Sequence, residues 1–222
     1  MYLSEREAAH AILDIGNRMY TRAFVAANDG NISVKIGDNR ILATPTGVSK
    51  GFMNRKMLVV TDLDGNVIKG KNKPSSELKM HLRAYKENPD LMAVVHAHPP
   101  ICTAFSIAGI PLSTPVLAEA VITLGNVPIA PYAELGSKEV PEVIAPYTHT
   151  HNGVILANHG VVTWDEDPYT AYYRLESMEY YANILMLTEK VLGNQNTLSK
   201  EQVDRLIAMR EKFGVKRGGR PE

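Results

Sequence analysis

Cysteine is nearly missing from this chain. Cys102 is the single one among 222 residues, which excludes an internal disulfide and any zinc module built from several thiolates. Net charge is missing as well: 24 lysines and arginines balance 24 aspartates and glutamates, so no overall field favours nucleic acid or an anionic membrane. No apolar run approaches the roughly 18 residues that a membrane span needs. The opening MYLSEREAAH carries charges where a secretory signal needs an apolar stretch. Neither a Walker-type loop nor a dinucleotide fingerprint occurs, so a nucleotide is not indicated. These absences predict a cytoplasmic protein with no nucleic-acid or membrane partner.

What is present is an ordinary globular composition, 45% hydrophobic and 22% charged, at a length suited to one domain. Ser4 followed by Glu7 forms a capping box ahead of a helix with Ala8, Ile12, Ile15 and Met19 at helical spacing. NDGNISVKIGDNRILATPTG reads as a hairpin that ends in a loop, and MLVVTDLDGNVIKG as a second hairpin turning at Asp64-Gly65. A helix over SELKMHLRAYKEN closes at Asn88-Pro89, and the strand LMAVVHAH follows. Then come an apolar helix in PPICTAFSIAG, a helix near SKEVPEVIAPY, the strand GVILANHG, and a long helix from Asp167 onward. Strands and helices mix without a regular βαβ alternation, which predicts one α/β domain around a mixed sheet. The domain is expected over residues 1–215, with 216–222 as a flexible basic tail.

The unusual stretch is VVHAHPP. Side chains alternate along a strand, so His96 and His98 share a face, ~6.6 Å apart along the chain. That spacing suits a shared metal ion or a hydrogen-bonded pair at a strand end, and alone it does not decide. His159, in VILANHGV, sits in the same kind of setting, an apolar strand running into a polar turn. A catalytic zinc takes three protein ligands and keeps a position open. His149 and His151 repeat the spacing in a polar turn and read as surface residues, while His10 has no evident partner. Glu77 and His81 are four apart on one helix face, the spacing of a metal pair or of an ordinary helix contact.

KPSSE places Ser75, Ser76 and Glu77 at a helix start, where free N–H groups and the dipole favour anions; plain N-capping would use the same residues. The loops DGNIS (Asp29 to Ser33) and TPTG (Thr44 to Gly47) combine glycine with small donors, as phosphate cradles and simple turns both do.

GNIS, TPTG, PSSE, VVHAH, APY and NHG, in that order, resemble the class II aldolase/adducin family, with its L-fuculose-1-phosphate aldolase branch the most similar. The resemblance covers nearly the whole chain. It implies a three-layer domain with a largely antiparallel central sheet flanked by helices. It implies a divalent metal, zinc with manganese or cobalt as alternatives, held by Glu77, His96, His98 and His159. It implies a phosphate site made by Asn31, Thr46, Gly47, Ser75 and Ser76, and a homotetramer with active sites between subunits. The implied reaction is retro-aldol cleavage of a ketose 1-phosphate to dihydroxyacetone phosphate and a short aldehyde such as lactaldehyde. It runs through a metal-stabilised enediolate, with Glu77 as the acid or base. Pentulose-phosphate 4-epimerase and sugar-acid-phosphate decarboxylase are the alternatives on this fold, and a non-catalytic scaffold like the adducin head is a third. Two tyrosines of the fuculose-phosphate branch are missing. The matching stretches are LSTPVLAEAV and REKFGV, where Phe213 takes the second place. The aldehyde end is therefore expected to differ, and Glu119 is either a replacement acid or a surface carboxylate.

Overall fold

The capping box at Ser4 forms: the serine hydroxyl accepts from the Glu7 amide, and the Glu7 carboxylate accepts from the Ser4 amide. It starts α1 (Glu5–Thr21), whose buried residues include Ala8, Ile12, Ile15 and Met19. The structure is a computed structural model and describes residues 2–222. Both hairpins are present, β1 (Asn31–Gly37) with β2 (Arg40–Ala43), and β3 (Val59–Thr61) with β4 (Val67–Lys69). Gly65 turns the second at φ +89°, a conformation that glycine adopts without a Cβ penalty.

The chain continues through α2 (Leu78–Glu87), β5 (Ala93–Ala97), α3 (Pro100–Ala108), α4 (Ala118–Thr123), β6 (Ile129–Ala130) and α5 (Glu139–Ile144). It ends with β7 (Gly153–Leu156), β8 (Gly160–Asp165), α6 (Pro168–Met186) and α7 (Lys200–Ala208). All eight strands form one sheet in the order β4-β3-β2-β1-β5-β8-β7-β6. Every pairing is antiparallel except β6 with β7, so the expected mixed, largely antiparallel sheet is present. Sequence reading misses β6, which is two residues long, and β8, whose run GVVTWD follows the His159 turn at once.

The sheet separates two apolar layers. α1 and α6 pack on one face, against Ile32, Val34, Ala93, Val95 and Ala97. α2 and α5 pack on the other, against Ile41, Val94, Val162 and Trp164. β5 is thus covered on both sides, and burying Val94 and Val95 contributes about 1.5–3 kcal/mol each. This strand ends in the two histidines. Its alternation puts His96 on the Val94 face, beneath α2.

Residues 216–222, expected as a flexible tail, make several bonds to the body of the domain. The Gly218 amide donates to Thr150 O, the Asn126 amide to Gly219 O, and the Asn152 side chain to Arg217 O. Among the described residues no helix is long and apolar enough to cross a membrane.

Candidate metal centre and active site

β1 and β5 pair with Asn31 opposite His96, and β5 and β8 pair with His96 opposite Val162. His96 is therefore held between two neighbouring strands, and its side chain has 0% exposure. His98 lies one residue beyond β5, its amide bonded to Phe24 O. His159 stands in the tight turn from β7 to β8, after Asn158 in the left-handed conformation at φ +55°. Gly160 follows because a Cβ there would meet Ala97 O at 2.5 Å and the His98 ring at 2.6 Å. Glu77 is the N-cap of α2, so the helix begins just after it, later than the SELKMHLRAYKEN run predicts.

These four side chains converge. The ring centroids of His96, His98 and His159 lie 4.8–4.9 Å apart in every pairing. Nε2 of His96 is 3.1 Å from Nε2 of His98 and 3.4 Å from Oε2 of Glu77, and His159 Nε2 is 3.2 Å from Oε1 of Glu77. Tetrahedral ligands at about 2.1 Å from a zinc ion would stand roughly 3.4 Å apart, close to these spacings. The proton inventory points the same way. His96 Nδ1 lies 2.8 Å from Val161 O, a contact that requires Nδ1 to be the donor. In the neutral ring Nε2 then carries a lone pair, directed at another imidazole nitrogen and a carboxylate oxygen. Glu77 Oε1 is buried and accepts no well-aligned hydrogen bond. With His96 neutral, acceptors face acceptors in this buried cluster, an arrangement that a cation between them would satisfy, so these residues fit a divalent metal.

The surroundings are equally specific. Asp29 Oδ2 lies 3.5 Å from His98 Nδ1, and Val161 O holds the far nitrogen of His96, the outer contacts that orient a ligating histidine. The Asn31 side chain donates to Glu77 Oε2 at 2.8 Å. Burial opposes the Glu77 charge, but His96 and His159 outweigh it and hold the carboxyl far below the usual range. Burial depresses the His98 imidazole to about 4, aided by His96 and His159. His98 is 24% and Asp29 45% exposed, against 17% for Glu77 and 13% for His159, so the cluster opens on the His98 side.

The donor loops meet beside this cluster. The Thr46 amide donates to Lys73 O, and the Ser75 amide to Thr44 O, an antiparallel contact centred on Pro45 and Pro74 that sets Thr44 opposite Ser75 and Thr46 opposite Lys73. Thr44 Oγ1 accepts from the Ile32 amide, joining the same loop to β1 next to Asn31. Gly47 has φ +71° with open space where a Cβ would point. His81 does not reach the cluster. Its Nδ1 lies 2.8 Å from Ser33 Oγ, which also contacts Tyr85 OH, and full burial lowers its imidazole to about 3. Glu119 stands exposed in the first turn of α4 and lines a cavity of about 300 Å3 with Thr123, Ser177 and Tyr180. Phe213 is 57% exposed. Sequence reading gives Asp29 to a phosphate loop and does not foresee its approach to His98. Nothing in the sequence marks Val161, whose part is played by its carbonyl.

A sheet of this order with such a cluster at its strand ends defines a class, and likeness to known proteins agrees. The family model of the class II aldolase and adducin N-terminal domain matches residues 10–186, and the chain belongs to that family. A protein of Methanococcus maripaludis named L-fuculose phosphate aldolase is 39% identical over 166 residues, 75% of this chain and 89% of its own length. A Haemophilus influenzae protein named 3-oxo-tetronate 4-phosphate decarboxylase is 35% identical over 180 residues, 78% of this chain and 84% of its own. Among solved structures, an L-fuculose 1-phosphate aldolase superposes with a TM-score of 0.85 at 28% identity, covering 96% of this chain and 98% of the other. YgbL of Klebsiella pneumoniae, described as a putative aldolase/epimerase/decarboxylase, gives 0.84 at 29%, covering 92% and 99%.

Proposed function

We propose that the protein is a metal-dependent lyase that cleaves a ketose 1-phosphate into dihydroxyacetone phosphate and a short aldehyde. The observation that carries the reading is the meeting of Glu77, His96, His98 and His159 beside loops rich in small donors. Glu77, His96, His98 and His159 are the proposed ligands, with zinc first and manganese or cobalt as alternatives. When bound, the ion supplies a Lewis acid that polarises the substrate carbonyl and its neighbouring hydroxyl.

The chain's own residues do the rest. Asn31, Thr46, Gly47, Ser75 and Ser76 would grip the phosphate, fixing the substrate so that its carbonyl end reaches the histidines. Ser75 lies two residues before the N-cap Glu77, and its hydroxyl accepts from the Glu77 amide. Glu77 has a second task in this scheme, moving a proton at the carbon that gains an electron pair when the carbon–carbon bond breaks. Its contacts suit an exchange between ligand and proton carrier, since Asn31 holds one oxygen and the other accepts no well-aligned bond. The open His98 side gives the substrate a way in. A cavity of about 780 Å3 is lined by Arg22, Phe24, Pro100, Ile101 and Tyr180, among others, and by none of the four ligands. The assembly proposed with this reading, on the family resemblance, is a homotetramer in which a neighbouring copy completes the site.

The second reading is a sugar-acid-phosphate decarboxylase. Relatives at 30–35% identity with that name favour it. Both reactions break a carbon–carbon bond and leave its electron pair beside a carbonyl, so one metal centre serves either. A coupled assay for dihydroxyacetone phosphate across a panel of ketose 1-phosphates, run beside carbon dioxide detection with 3-oxo-tetronate 4-phosphates, separates them. Dihydroxyacetone phosphate release is the expected result. Carbon dioxide alone, from metal-loaded protein, would replace the lyase with the decarboxylase.

A further inference from the structure

Lys50 stands in the sequence TGVSKGF. In the structure it is 2% exposed. It opens a short helical turn, Lys50–Phe52, at the end of the TPTG loop. Its ammonium donates to two backbone carbonyls, Asn28 O at 2.9 Å and Val48 O at 2.6 Å. A buried charge is costly unless well partnered, and an uncharged side chain of the same length would fill the space at less cost. Desolvation accordingly lowers the Lys50 ammonium to about 8, opposed by Asp29. Asp29 does not enclose it, for its Oδ2 lies near His98.

The two carbonyls belong to different segments. Asn28 leads directly into Asp29-Gly30-Asn31, which reaches His98 through Asp29 and Glu77 through Asn31. Val48 closes the run Thr44-Pro45-Thr46-Gly47-Val48, in which Thr44 O accepts from the Ser75 amide. No strand pairing joins these two stretches at the level of Asn28 and Val48; there the lysine does. Gly30 shows how little slack the first has, since a Cβ at its φ of +73° would meet His96 O at 2.9 Å. An ammonium has three donors, two of which are engaged here. Its charge also acts over distance in a poorly hydrated setting, where an approaching dianion would feel it.

We propose that Lys50 is a positioning residue for the phosphate end of the site: its buried ammonium ties the 28–31 segment to the 46–49 segment and sets the separation of the donors that grip the substrate's phosphate. This rests on the phosphate assignment proposed above. It adds a residue that touches neither metal nor substrate.

The test is calorimetric titration of inorganic phosphate into metal-loaded full-length protein, wild type beside Lys50→Met and Lys50→Gln. Loss of two bonds from a charged donor is expected to weaken phosphate binding by about tenfold or more in Lys50→Met, with metal content unchanged. Lys50→Gln, whose amide still donates without charge, is expected to recover part of that loss. It also carries the comparison if the methionine variant does not fold. On whichever ketose 1-phosphate is cleaved, KM should rise by a similar factor while kcat stays within about twofold, a split that mere destabilisation would not produce. Wild-type affinity in both variants would overturn the role of Lys50 and leave the phosphate site standing. A wild type that binds neither inorganic phosphate nor any sugar phosphate would remove the phosphate reading and Lys50 with it.

Discussion

His96 and His98 stand at the end of β5, and His149 and His151 stand two residues apart in the turn before β7. The first pair brings its Nε2 atoms to 3.1 Å and is joined by His159 and Glu77. The second pair diverges. His149 Nε2 lies 2.9 Å from Glu87 O at the end of α2, and His151 Nδ1 lies 2.8 Å from its neighbour Thr150 Oγ1. Equal spacing gives unequal outcomes because only the extended backbone of a strand and its immediate continuation repeats direction every second residue. The strand must also be immobilised, as β5 is between β1 and β8. The chemistry sits in the frame around the motif.

The largest effect in this comparison belongs to His96→Ala. Metal is expected to be lost, and turnover with it by on the order of a thousandfold, since the charge that stabilises the transition state goes. The subunit should still fold, with a cost of about 1–3 kcal/mol, because β5 keeps its pairing and its apolar faces. Metal analysis by mass spectrometry alongside thermal melts checks both, and full metal occupancy in the variant would sink the ligand assignment. Glu77→Gln comes next. The amide preserves shape and the contact with Asn31, so metal is expected to remain while kcat falls about 10²- to 10⁴-fold through loss of proton transfer. Turnover near wild type would end the acid/base role and leave Glu77 a ligand only.

Much of this contrast is legible in the residues themselves. VVHAH is readable because a buried strand is a continuous apolar run, and two imidazoles at its end violate the pattern. Both hairpins and the first helix announce themselves through turn and cap residues, whose signals are local. The capping serine and glutamate are three residues apart, and the Asp-Gly turn is two residues long. The partnership of His159 with β5 is not local, and its setting in NHG is like many turns; the ordered family motifs supply it. What stays hidden involves backbone carbonyls or distant loops. Val161 O beneath His96, Asn28 O and Val48 O around Lys50, and Asp29 beside His98 leave no mark on residue identity. Strand β8 escapes a reading by segments because its run begins right after the turn that ends β7.

Asp29→Asn sharpens the comparison at the level of those outer contacts. His98 has a carboxylate near its far nitrogen, and the 149–151 pair has none among its hydrogen-bond partners. Removing that charge is expected to weaken metal affinity by about 10- to 100-fold without changing the ligand set. Competition with a chelator at fixed pH measures it. Unchanged affinity would mean that the 3.5 Å approach of Asp29 to His98 has no part in orienting the ring.

The smallest effect should come from His149→Ala, and it is the control that could break the contrast. His149 is exposed, and its side chain bonds to the last carbonyl of α2. A C-terminal helix carbonyl left by its side-chain partner can turn to water, so the change in stability should stay within about 0.5 kcal/mol. Metal content and turnover should match wild type within about twofold. Loss of bound metal in this variant would show that the turn before β7 takes part in the centre. The frame of β5 would then no longer account for why one His-x-His segment converges with His159 and Glu77 and the other does not.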